Sequence, residues 1–109
     1  MSLISLSDYR RNAKRVAFDR RELMSILNLY SQRVSRGEWR DYAIDSLPGM
    51  AVFSIFRSSF EKPLFSIVKQ PGGKRGDFLL LSGRQKLAQG RTLEEVFQPL
   101  ERQLSLVRG

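Results

Sequence analysis

Residues 18–45, FDRRELMSILNLYSQRVSRGEWRDYAID, change their hydrophobic period partway along, and this limits the fold more than any other stretch. Asp19 is placed as a helix N-cap, with Glu22 three residues later to complete a capping box. Phe18 can staple onto Leu23 across the cap. Leu23, Ile26, Leu27, Tyr30 and Val34 then recur at the spacing of one helical face, which leaves Asn28, Gln32, Arg33 and Arg36 on or near the outer side. Gly37 supplies a left-handed stop, so a helix is expected over residues 20–36. Residues 39–45 then alternate, with Tyr42 and Ile44 on one face and Asp41 and Asp45 on the other, the period of a strand.

The middle of the chain continues in short extended pieces. Leu47, Pro48, Gly49 and Met50 form a turn suited to type II geometry. Residues 51–57 are rich in β-formers, with Phe53 and Ile55 alternating against Val52, Ser54 and Phe56. A turn over 58–63 leads to a strand over 64–69. The Gly-rich run 71–76 is a hairpin loop, and 77–82 a further strand. Another turn follows, and residues 86–89 are a possible short edge strand. A second helix opens at Thr92, with Glu95 at the capping-box position and Leu93, Val96, Phe97, Leu100 and Leu104 along one face. Pro99 lies inside it and would cost about 3 kcal/mol in a regular helix, so a kink near Pro99 or two short helices is expected. The fold class is therefore α+β: an N-terminal helix, an antiparallel meander of about four strands and a C-terminal helix.

The chain of 109 residues carries 19 Lys and Arg against 11 Asp and Glu, a net charge of +8. Such a field favours anionic partners. Residues 1–17 contain Arg10, Arg11, Lys14 and Arg15 opposed only by Asp8, and read as a flexible basic arm. Residues 18–109 read as a single domain that keeps a net +5 of its own. The chain has no cysteine and no histidine. Disulfides, thiolate nucleophiles and cysteine-ligated metals are excluded, as is the commonest general base near neutral pH. Apolar runs such as 78–81 are far shorter than the ~20 residues of a spanning helix, and the opening MSLISLS lacks a signal-peptide core.

No constellation of residues suggests catalysis. Asp41 and Asp45 share a strand face, but roughly 13 Å of strand separates them, too far for a catalytic carboxylate pair. The run Gly72–Gly73–Lys74–Arg75–Gly76 offers amides and cations to a phosphate, yet it enters a strand and lacks the hydroxyl of a phosphate loop, so a plain hairpin is favoured. Trp39, Arg40 and Tyr42 could present aromatic and cationic faces to a partner or to bases; alternatively Trp39 and Tyr42 close the core between the first helix and the sheet. Arg20 and Arg21 stand at a helix start, where positive charge opposes the macrodipole by a few tenths of a kcal/mol. No metal or cofactor is implied.

The segments FDRREL, ILNLY, GEWRDYAID and AVFSIFR resemble a small, uncharacterised family of bacterial proteins catalogued as a domain of unknown function. The resemblance spans residues 18–97, with residues 37–45 its most specific part. It implies a bacterial cytoplasmic protein and a small α+β domain; it implies no activity, and the arm lies outside it.

The function expected from these readings is a non-enzymatic binding or adaptor module for a protein partner or a second copy, with Trp39, Arg40 and Tyr42 as candidate contacts. The alternative is a nucleic-acid-associated protein using Arg10, Arg11, Lys14, Arg15, Arg20 and Arg21 with Lys69, Lys74 and Arg75.

Overall fold

The structure, a computed structural model, describes residues 15–57 and 62–108, with side chains described as far as residue 101. Arg10, Arg11, Lys14 and the rest of the expected arm before residue 15 lie outside the described residues, as does the side chain of Leu104.

The expected helix forms as α1 (Arg20–Val34). Its start is the reciprocal capping box: the Glu22 N–H donates to Asp19 Oδ1 at 2.8 Å, and the Asp19 N–H donates to Glu22 Oε1 at 2.7 Å. The helix stops two residues earlier than its pattern predicts. Gly37, at φ 75°, lets the Gly37 and Glu38 N–H groups turn back onto the Val34 and Arg33 carbonyls.

Five strands follow: β1 (Asp41–Leu47), β2 (Met50–Phe56), β3 (Phe65–Lys69), β4 (Phe78–Ser82) and β5 (Gln85–Gly90). They lie in sequence order, each antiparallel to its neighbour. The meander is as expected, but β5 is a full fifth strand. Ser82 pairs with Gln85 across a two-residue turn in which Gly83 takes φ 61°. A register shift at Leu80/Leu81 then lets Leu87 and Ala88 pack against the core. The chain ends in α2 (Leu93–Arg108), whose start is capped by the Thr92 hydroxyl accepting the Glu95 N–H at 3.3 Å. This helix runs through Pro99 as one element rather than two. Pro99 is the seventh residue of the helix, so the carbonyl without its usual donor is that of Glu95 near the N-terminal end.

Both helices contribute to one core on one face of the sheet. Phe53, Ile55, Ile67 and Leu80 point into it from the strands, with Ile26 from α1 and Val96 and Leu100 from α2; none exceeds 1% exposure. The register puts Tyr42 beside Ile55 and Ile44 beside Phe53, on this same face. Val52, Phe56, Val68 and Leu79 alternate onto the opposite face, so the sheet is apolar on both sides. The buried stripe of α1 is rotated from the expected one. It consists of Ile26, Leu29 and Arg33, while Val34 and Met24 are exposed. Arg33, expected on the outer side, is only 3% exposed.

Candidate functional site

Among the described residues, three of the five exposed large apolar side chains lie along β1, at the edge of the sheet. Tyr42, Ile44 and Leu47 are each about two-fifths exposed, and among the residues of β1 only Ser46 is half-buried. α1 covers Phe53 but leaves the outermost strand open, so Tyr42 and Ile44 extend the core face beyond its cover. Tyr42 stacks on Phe53 with ring centroids 5.0 Å apart and planes 7° apart. Tyr30 of α1 meets the edge of Tyr42 at 4.9 Å. Burial, followed by the nearby Asp41 and Tyr42, raises the Tyr30 hydroxyl above its ordinary range, so it is a neutral hydrogen-bonding group near neutral pH.

The backbone of this edge is partly open. Ile55 turns its carbonyl toward β3, where Leu64 N–H donates to it at 2.7 Å. Tyr42 and Ile55 therefore form a non-hydrogen-bonded pair, and the main-chain groups of Tyr42 and Ile44 face away from β2. Asp41 accepts the Tyr42 N–H at 2.8 Å. The far end is occupied: Val16 N–H donates to the Leu47 carbonyl at 3.1 Å, Arg15 donates to the Ser46 carbonyl, and Ser46 Oγ donates to the Val16 carbonyl at 2.6 Å. Among the described residues, what is left without a partner is a short stretch of edge centred on Ile44.

The remaining candidates separate into different environments. Trp39 is 2% exposed and packs between Tyr30 and Phe65, so it is a core residue and not a surface contact. Arg40 is exposed beside it, its N–H donating to the Phe56 carbonyl at 2.9 Å. Lys69, expected in a basic patch, is engaged within the fold: its Nζ lies 2.7 Å from Glu22 Oε1 and 3.0 Å from the Ala17 carbonyl. Arg20 and Arg21 are exposed at the start of α1, and Lys74 and Arg75 in the β3–β4 loop. That loop holds its own acid. Asp77 accepts the Gly72 N–H at 3.1 Å, placing a carboxylate where a phosphate would need the amide.

A third feature has no counterpart in the sequence reading. The Arg33 guanidinium lies over the Trp39 ring, 5.3 Å from its centroid. Its Nη2 donates to the Leu100 carbonyl of α2, and its Nη1 lies 3.4 Å from Glu38 Oε2. Its Nε has no hydrogen-bond partner among the described residues. A buried N–H left in that state costs about 1–3 kcal/mol. Arg33 and Trp39 line a cavity of about 470 Å³ with Glu38, Arg57, Phe65 and Leu87.

Among known families, a protein of unknown function designated DUF2794 matches residues 16–97. The chain belongs to the DUF2794 family. No match is found among curated proteins or among solved structures.

The DUF2794 match contains α1, the whole sheet and the start of α2, and with them Tyr30, Arg33, Tyr42 and Ile44. Arg10, Arg11, Lys14 and Arg15 precede it. No helix among the described residues is long and apolar enough to cross a membrane. The signal that could have found Arg33 is the i, i+3, i+7 series Ile26, Leu29 and Arg33, which shares Ile26 with the purely apolar series and runs beside it.

Proposed function

We propose that the DUF2794 domain is a non-enzymatic binding module that takes an extended segment of another protein along β1. The observation that carries this reading is the edge at Tyr42–Ile44, where exposed apolar side chains stand beside the outward-facing main-chain groups of Ile44 and the Tyr42 carbonyl. Strand addition uses the main chain for affinity and alternate side chains for specificity. The alternation on β1 describes the partner: apolar residues opposite Tyr42 and Ile44, basic residues opposite Asp41 and Asp45. A second copy fits this description poorly. Antiparallel self-pairing with full overlap of residues 41–45 sets Asp41 against Asp45, and like charges directly opposite are destabilising. The same carboxylates guard a free edge against self-association.

A photo-crosslinking residue in place of Ile44 tests the reading in the native host. A discrete protein adduct is expected, reduced about tenfold by Tyr42→Lys, since a central aromatic contact often accounts for 1–2 kcal/mol or more of binding. The same crosslinker in place of exposed Arg84, at the β4–β5 turn, serves as the control. Identical adducts at both positions, or an Ile44 adduct indifferent to Tyr42→Lys, would remove the support.

A second reading, nucleic-acid association, rests on the net charge of +8 and on exposed Arg20, Arg21, Lys74 and Arg75, together with Arg10, Arg11 and Lys14 in the sequence. Binding by these cations should weaken steeply as salt rises, because counterion release drives it. Mobility-shift assays on DNA and RNA at low salt measure this directly; no retention there would end the reading.

A further inference from the structure

We infer that the cavity between Arg33, Trp39 and Arg57 is a binding site for a small carboxylate with an apolar body, separate from the β1 edge. Four observations converge on it. Its volume, about 470 Å³, falls in the range of small-molecule sites. One wall is apolar, formed by Trp39, Phe65 and Leu87, with Trp39 and Phe65 packed edge to face at 6.2 Å and therefore held rigidly. Its polar groups carry two guanidinium groups against one carboxylate, so it keeps a net positive charge. One of those guanidinium groups is unlike an ordinary surface arginine: Arg33 is 3% exposed and is fixed by the Leu100 carbonyl, Glu38 and the Trp39 ring.

These features assign roles. Trp39 and Glu38 hold Arg33 in place, the ring centroid 5.3 Å from the guanidinium carbon and the carboxylate 3.4 Å from Nη1. That contact is long for a charge-assisted hydrogen bond, which leaves the Arg33 guanidinium incompletely neutralised. Arg57 stands at the exposed end of β2, where its flexible stem can bring the second guanidinium onto an incoming anion. A carboxylate accepts from planar N–H pairs, and two arginines recognise it better than lysines would. The apolar wall takes the hydrocarbon part. The pairing of a rigid hydrophobic wall with a few convergent polar groups is the usual construction of a small-molecule site. Of the other recesses, that shared by Lys74 and Arg91 also sets two cations against one carboxylate, Asp77, but no aromatic or aliphatic side chain lines it, so it lacks the apolar wall of this one.

The sole tryptophan of the chain is Trp39, so its fluorescence reports on this wall. Hexanoate titrated into the full chain is expected to change that fluorescence saturably. Hexanamide, of the same shape without the charge, should bind at least about tenfold more weakly. Arg57→Gln is expected to weaken hexanoate by about tenfold through loss of one charge-assisted contact. Gln85→Phe, at an exposed strand position on the rim, is expected to obstruct entry without disturbing the fold. The inference is overturned if hexanoate gives no saturable change. It is overturned equally if hexanamide binds as well, or if both variants, shown folded by circular dichroism, bind hexanoate undiminished. None of these results bears on the β1 edge, which the cross-linking experiment tests alone.

Discussion

Phe53→Ala is expected to remove about 4 kcal/mol of stability, the largest loss from any single truncation in the sheet. Phe53 is fully buried at the centre of β2, between Ile44 of β1 and Ile67 of β3. It is also the ring on which Tyr42 stacks, and it meets Tyr30 edge to face at 6.2 Å. Truncation removes the transfer energy of the ring, opens a cavity and ends two aromatic contacts worth about 0.5–1.5 kcal/mol each. Domains of this size are stable by only about 5–15 kcal/mol, so the variant should stand near the limit of folding. Urea unfolding monitored by circular dichroism measures the change. Phe53→Leu, which keeps most of the volume, should lose about 1–2 kcal/mol. Equal losses in the two variants would contradict the packing described. Tyr42 and Ile44 depend on the same residue, so Phe53→Ala should weaken the cross-link at Ile44 along with the fold.

Arg33→Ala is expected to destabilise by about 3 kcal/mol, although the residue is an arginine on a helix. Three attachments are lost at once: the guanidinium over Trp39, the donor to the Leu100 carbonyl that ties α1 to α2, and the partner of Glu38. The Glu38 side chain is about one-third exposed and can turn to water, which holds the loss below that of a fully buried orphaned charge. Arg33→Met should retain part of the stability, because the arginine stem itself fills space. Arg33→Lys should not rescue, since a compact ammonium cannot sit over Trp39 while donating to both Leu100 and Glu38. Chemical denaturation of the three variants gives the ranking Met above Ala with Lys close to Ala; Lys near wild type would show that charge alone matters at this position.

The readable parts of the fold were those governed by local chemistry. Asp19 and Glu22 announce a helix start because each satisfies the other's main-chain donor, whatever packs nearby. Gly37 marks the helix end for the same local reason, and the alternation from Asp41 to Asp45 is simply the pleat. Less of the candidate site could be read in advance. Tyr42 was a candidate and is exposed at the open edge, but Trp39 beside it is interior, because Gly37 turns the chain back under α1 and brings the indole against Tyr30 and Phe65. Lys69 looked like part of a basic patch until the hairpin carried it to Glu22, 47 positions away in the chain.

From residue order alone came the elements, their order and the antiparallel meander, since capping, periodicity and turn geometry act over a few residues. The direction in which α1 rolls, and so the burial of Arg33 in place of Val34, was decided only when α2 returned to lie beside it. Both positions flank one helical stripe, and a helix with a broad apolar face can settle on either side of it. The Leu100 carbonyl and the Trp39 ring make the choice, because together they give a buried guanidinium a hydrogen-bond acceptor and an aromatic face.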